Sequence, residues 1–284
     1  MRMNYSIYKK FSLWMSVLRY VVKFRKPLYL NNPKDLNEKV FWLAFNAETE
    51  QWADLADKIK VHEYLDGCGL SNLSVPILKV WKSADEINFD ELPKSFVIKT
   101  NHGCGDVFVI KDKSKANLDE LRKKMDKYLK RHFGLWTGEP HYLKIKPYIF
   151  AEQTLKNDCE VSSSLVDYKF YCFNGKPECI LVCYDRKGLV AQKVCYDMQW
   201  NRHEEWTHFT EKSVVKDIPK PKTLAAMVDA CMKLGKQFPF VRIDFYESEG
   251  KCYFGEMTFT PAAGRSTALT PEYLKILGDK LNLK

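Results

Sequence analysis

The sequence predicts an α+β fold: two α+β lobes on mostly antiparallel sheets, preceded by an N-terminal helical segment. Three observations point to it. Asn174-Gly-Lys-Pro177 stands between two strand-like runs, and Asn-Gly at the centre of so short a connection signals a tight hairpin. A second hairpin is legible at residues 241–259, where two alternating runs flank Glu247-Ser-Glu-Gly-Lys251. The 284 residues, 45% of them hydrophobic, suffice for two modest lobes around a substantial core.

Residues 1–34 form a basic arm with eight Lys or Arg residues and no acid. The rest of the chain holds 37 bases against 36 acids, so it lacks the broad basic footprint of a nucleic-acid binder. Ile7, Phe11, Trp14, Leu18, Val21 and Val22 recur at spacings of three and four, which makes one apolar helical stripe. The expectation is that this stripe packs on the protein's own body. The alternative is peripheral contact with an anionic membrane through residues 1–34, at the inner face of a cytoplasmic protein's membrane. No apolar run is long enough to span a bilayer, and no small-residue cleavage site marks a secretory signal. Nine cysteines without a C-x-x-C pair argue against zinc and for a reduced, cytoplasmic setting.

Residues 35–75 read as a helical region. Pro33-Lys-Asp-Leu-Asn-Glu-Lys39 turns into a first helix, and residues 51–65 read as one more, stopped by Gly67. Residues 76–155 form the first lobe, with strands at 77–81 and 96–98, a return at 107–110 and a charged helix at 118–132. Residues 134–146 are aromatic and turn-rich without a period, and are expected to be a mobile or substrate-contacting loop. Residues 156–284 form the second lobe, with strands at 167–173, 179–184, 188–196, 241–246 and 252–259 and a main helix at 223–238. Thr270 and Pro271 begin a last helix as cap and first-turn proline. His203 and Glu204 sit in a polar aromatic stretch expected to be structural.

Two stretches carry chemistry. In Phe96-Val-Ile-Lys-Thr-Asn-His-Gly-Cys-Gly-Asp106, Lys99 ends a buried strand before a turn containing Gly103 and Gly105. Such a lysine beside close-approaching backbone amides suits phosphate oxygens; the same pattern also fits an ordinary hairpin with a surface lysine. In Val241-Arg-Ile-Asp-Phe-Tyr246, alternation sends Val241, Ile243 and Phe245 to the core and Arg242, Asp244 and Tyr246 to the other face. A five-residue loop would place Arg242 opposite Glu256 and Tyr246 opposite Cys252, with Asp244 and Glu256 on one face. Two such carboxylates can bridge a hard divalent cation; equally, Arg242 and Glu256 can form a plain cross-strand ion pair.

With these residues in order, the chain resembles the ATP-grasp superfamily, most closely its TupA-like branch, named for teichuronopeptide biosynthesis. The resemblance spans residues 35–265 and runs through Leu36-Asn-Glu-Lys-Val-Phe-Trp42, Ala56-Asp-Lys-Ile-Lys-Val61, the Lys99 strand and Tyr148-Ile-Phe-Ala-Glu-Gln153. It continues through Asp167-Tyr-Lys-Phe-Tyr-Cys-Phe-Asn-Gly-Lys-Pro177 and the last hairpin with Thr258-Phe-Thr-Pro-Ala-Ala-Gly264. The resemblance implies the ATP-grasp fold, in which two lobes clasp ATP. It implies that Lys58 and Lys99 contact its phosphates, that the Gly103 and Gly105 loop closes over them, and that Glu152, Gln153 and Leu155 line the adenine link. Lys169 would approach the terminal phosphates, Asp244 and Glu256 would hold Mg²⁺, and Arg242 would steady the reacting carboxyl group. Many superfamily members have asparagine where this chain has Thr258, whose hydroxyl can also bind the cation or a water. Asn101, His102 and Cys104 have no assured role, and His102 is expected to be a solvated loop side chain.

The implied activity is ATP-dependent carboxylate–amine ligation through an acyl phosphate. The implied partners are an amine and an acidic glycan or a nucleotide- or lipid-linked sugar. A glycosyltransferase of the same polysaccharide is a second reading, weakened because no two aspartates stand two residues apart. An ATP-dependent phosphotransferase on a glycan hydroxyl is a third, without a Walker Gly-x-x-x-x-Gly-Lys or a kinase His-Arg-Asp. A membrane-surface scaffold with a vestigial nucleotide site is the non-catalytic alternative.

Overall fold

A computed structural model describes residues 5–209 and 215–283, so Arg2 of the basic arm lies outside the described residues. Four helices open the chain: α1 (Tyr5–Phe24), α2 (Leu36–Asn46), α3 (Glu50–Ala56) and α4 (Val61–Gly67). Next come β1 (Ile77–Trp81), β2 (Phe96–Thr100), β3 (Phe108–Ile110), α5 (Leu118–Leu129), α6 (Phe133–Thr137) and β4 (Ile149–Glu152). Then follow β5 (Asp167–Phe173), β6 (Lys176–Lys187), β7 (Val190–Tyr196), β8 (Arg202–His203) and α7 (Leu224–Leu234). β9 (Val241–Ser248), β10 (Lys251–Thr258) and α8 (Pro271–Asp279) complete the order.

The strands make two sheets, ordered β1-β4-β2-β3 and β10-β9-β5-β6-β7-β8, and every pairing between named strands is antiparallel. Leu121 and Met125 of α5 cover the smaller sheet at Phe96, Ile98 and Ile149. Met227, Ala230 and Leu234 of α7 belong to the larger core with Phe170, Ile243 and Phe245. Local chemistry sets the ends: Asp35 caps α2 at the Glu38 amide, Asn117 caps α5 and Thr270 caps α8. Asn174 and Gly175 both have positive φ, which is the two-residue turn that the Asn-Gly pair predicts between β5 and β6.

Four expectations need correction. The helix at 51–65 is two helices, because Asp57 Oδ1 accepts from the Ile59 amide at 2.8 Å and competes with the helical bond. Gly67 is the last residue of α4, but the left-handed conformation expected of a stop glycine falls at Gly69, φ +69°. Residues 134–146 are not a loose loop: α6 and a 3₁₀ turn at Pro140–Lys144 bury Glu139, His141 and Tyr142. Long-range aromatic contacts order this segment, which is why it shows no period.

The fourth concerns α1. Its apolar stripe faces out, and the opposite side, Ser12, Ser16 and Tyr20, is buried. Small groups allow this: Ser12 Oγ donates to the Gly134 carbonyl at 3.3 Å, and a Cβ on Gly138 would run into Ser16 Oγ. Leu13 and Val17 pack beside them on Phe41, Ala44 and Phe45 of α2.

Candidate active site

Three adjacent strands assemble one polar face. Lys169 lies opposite Asp244 and Tyr171 opposite Arg242 across β5 and β9, while Asp244 pairs with Glu256 and Arg242 with Thr258 across β9 and β10. The expected register was therefore wrong: the loop is Glu249-Gly250, both at positive φ, and Arg242 faces Thr258 rather than Glu256. A bulge at Gly255 shifts the pairing by one residue and returns Glu256 to the Asp244 face. A Cβ on Gly255 would meet the Asp244 carbonyl and the Tyr246 ring at 3.0 Å each.

Arg242 ties this face together. Its Nε donates to Asp244 Oδ1 at 2.7 Å, and its Nη2 donates to Asp244 Oδ2 at 2.7 Å, Glu256 Oε1 at 2.6 Å and Thr258 Oγ1 at 3.0 Å. Lys169 Nζ pairs with Asp167 at 2.7 Å and also with Asp244. Burial pushes the Asp244 carboxyl up to about 6, against the pull of Arg242 and Lys169. Burial also disfavours the Glu256 charge, but Arg242, Lys169 and Lys58 outweigh it and hold that carboxyl well below its ordinary range. For Lys169, burial is overcome by Asp167 and Asp244, so the ammonium is held more firmly than usual.

The donor set fits a hard divalent cation. Three oxygens, from Asp244, Glu256 and Thr258, surround one guanidinium nitrogen, so the position already favours positive charge. Among the described residues no cluster of three or more His, Cys, Asp or Glu side chains is placed to hold a metal. Mg²⁺ does not require one, since it takes one or two carboxylates and completes its shell with water and phosphate oxygens.

The cationic side comes from the other half. Lys58, in the break between α3 and α4, donates to the Gly103 carbonyl and acts on Glu256 through space. The loop between β2 and β3 is closed by Asp106, which accepts from the Thr100 amide at 3.1 Å. Gly105 at φ +81° forms its tip, where a Cβ would lie 3.3 Å from Leu189 of the β6–β7 turn, so the loop reaches the second sheet. Gly103 has room limited by the Phe133 ring. Lys99 of β2 pairs with Glu152 of β4 at 2.6 Å, and Glu152 in turn acts on Tyr246 of the polar face. Gln153 and Leu155 lie in the link from β4 to β5, where the Gln153 amide donates to the Pro76 carbonyl at 3.0 Å.

Two residues were missed. Asp167 shares the Lys169 face, and its Oδ1 is buried without a hydrogen-bond partner; its signal was the two-residue spacing from Lys169. Asn101 is fully buried, donating to Asp57 at 2.9 Å and the Lys146 carbonyl at 3.0 Å and accepting from the Tyr148 amide at 2.7 Å. It fixes the Lys58 segment to the glycine loop, and nothing local in the sequence signals this. His102 is not solvated: it is buried, with Nε2 at 3.1 Å from the Arg131 carbonyl. His203 stacks on Trp206 at 3.7 Å, away from the site. A cavity of about 580 Å³ bounded by Trp42, Asn174, Pro239 and Leu283 has Glu48 as its one charged lining residue, which ill suits a phosphate.

Among solved structures the chain is similar to D-alanine–D-alanine ligase from Bacillus anthracis, at 18% identity and a TM-score of 0.48, over 84% of this chain and 68% of that one. It is similar to L-amino acid ligase from Bacillus licheniformis at 13% identity and 0.47, over 87% and 52%. For D-alanine–D-alanine ligase from Helicobacter pylori the values are 15% and 0.41, over 80% and 61%. The chain thus spans between 52% and 68% of the length of these three proteins. No curated protein matches it. The sequence profile of the TupA-like ATPgrasp family matches residues 38–282, and the chain belongs to that family.

Proposed function

We propose that the protein is an ATP-dependent carboxylate–amine ligase that joins an amino acid or other amine to an acidic glycan, through an acyl phosphate, in surface-polysaccharide synthesis. The observation that carries this reading is the array in which Asp244, Glu256 and Thr258 ring one nitrogen of Arg242, with Lys169 beside it and Lys58 close enough to act on Glu256. Membership of the ATP-grasp family supports ATP as the phosphoryl donor, and the family's association with teichuronopeptide supports the glycan.

In this reading Lys58, Lys99 and the backbone around Gly103 and Gly105 bind phosphate oxygens, and residues 152–155 bind adenine. Asp244, Glu256 and Thr258 hold Mg²⁺, which when bound offsets charge on the transferring phosphoryl group. Lys169 neutralises the terminal phosphate. Arg242 orients the substrate carboxyl group and stabilises the oxyanion formed when the amine attacks the acyl phosphate and phosphate leaves. Lys99 is released to the nucleotide from its pairing with Glu152.

The test is incubation with ATP, Mg²⁺, amino acids and acidic polysaccharide fractions, followed by mass analysis of the glycan. Amide gain with release of ADP and phosphate is expected. Phosphate gain would assign the phosphotransferase, and sugar gain from a nucleotide sugar the glycosyltransferase. Asp244→Asn is expected to lower turnover on the order of 100-fold. Equally weak Mg²⁺-ATP binding in parent and variant would instead favour a scaffold.

A further inference from the structure

The outward face of α1 is unlike the rest of the surface. Ile7, Trp14 and Val22 are 67%, 62% and 61% exposed, and Phe11, Leu18 and Val21 are exposed between them. Trp136, itself exposed, extends the patch by packing edge-on against Phe11 at 6.3 Å. Scattered surface apolar residues are ordinary; a continuous stripe along a 20-residue helix marks an interaction surface.

Charge identifies what covers it. Residues 1–34 contain no acid, and Lys10 and Arg19 flank the stripe with Arg25 and Lys26 beyond its end. Lys23 and Lys26 also bind the body, through the Arg265 carbonyl and through Asp35 and Glu38, which fixes the helix with its stripe outward. Pairing with a second copy would bring two wholly basic segments together, against the mixed-charge flanks that such seams use. An anionic bilayer surface accepts both features: apolar side chains enter the acyl boundary, tryptophans sit at headgroup level and cations meet lipid phosphates. Among the described residues no helix is long and apolar enough to cross a membrane.

We propose that α1 is an interfacial anchor that docks the body of the protein, through Phe11, Trp14, Leu18 and Trp136, on an anionic lipid surface. This goes beyond the ligase reading and stands without it.

The experiment is flotation of the full chain with vesicles of phosphatidylglycerol and phosphatidylcholine in equal parts, and with phosphatidylcholine alone. The full chain is expected to float with the anionic vesicles, to remain below with the neutral ones and to be released by high salt. Trp14→Glu with Leu18→Glu is expected to cut the bound fraction about tenfold while leaving the melting temperature unchanged, because both side chains are already in water. A full chain that stays below with both vesicle types, or a double variant that floats as well as its parent, overturns the proposal. So does sedimentation showing a dimer that the double variant splits in a protein that binds no vesicles. Nucleotide turnover enters none of these readouts, so the ligase reading fails or holds separately.

Discussion

Asp244 and Glu256 share one guanidinium, and burial opposes the charge on both, yet their carboxyl groups are shifted in opposite directions. Asp244, almost fully enclosed, is raised to about 6, whereas Glu256 is held low by Arg242, Lys169 and Lys58. A protonated carboxyl group loses most of its hold on a cation, so Mg²⁺-dependent nucleotide binding should weaken as pH falls through the raised Asp244 range, long before Glu256 titrates. Calorimetric titration is expected to show affinity approaching a tenfold loss per unit between about pH 6 and pH 5. The same decline should persist in Glu256→Gln and vanish in Asp244→Asn. Binding that stays flat in the parent down to pH 5 would mean that Asp244 is an ordinary carboxylate. These two acids and Arg242 were legible because strand alternation is local. Asn101 was not, since its three bonds go to partners between 44 and 47 residues away.

Secondary elements show where local reading stops. A five-residue loop in the β9–β10 hairpin puts the two acids on a common face, and so does the structure, because the true two-residue turn and the Gly255 bulge compensate in parity. Without the bulge the pairing beyond Phe254 would move Glu256 opposite Ile243, toward the core side. Gly255→Ala tests this. A methyl group there presses on the Asp244 carbonyl and the Tyr246 ring, with a cost of about 1–3 kcal/mol for overpacking if the backbone yields. Denaturant unfolding should show that loss, and Mg²⁺-ATP affinity should fall more than in Gly250→Ala at the distant turn. Equal affinity losses would show that the bulge does not aim Glu256. The sidedness of α1 escaped the sequence for a different reason. Period analysis assigns the apolar stripe to the interior, but here close approach at Ser12, Ser16, Gly134 and Gly138 decides which side packs.

At the scale of the whole molecule, an aromatic cluster joins the helical region and residues 133–145 to the end of the larger sheet. Trp52 of α3 stacks on Phe259 beyond β10 at 4.7 Å, His141 meets Trp52 edge-on at 5.6 Å, and Tyr142 packs against Phe133 of α6 at 5.1 Å. Thr260 adds a 2.6 Å bond to buried Glu139. His141 is the weak member: both ring nitrogens are buried without a hydrogen-bond partner, and burial, with Lys144 assisting, lowers its pKa to about 3. A histidine lowered on folding takes its proton more readily in the unfolded chain. Stability should therefore fall as pH drops from the unfolded value near 6.5 toward 3, by about 1.4 kcal/mol per unit through that window. His141→Phe keeps the ring and removes both orphaned nitrogens, so it should gain about 1–3 kcal/mol at pH 7 and a widening advantage on acidification. Urea unfolding of parent and variant at neutral and mildly acidic pH measures that difference. A gap of the same size at both would mean that folded His141 accepts a proton as easily as a free histidine, and that water reaches the junction between α3, the Pro140–Lys144 turn and Phe259.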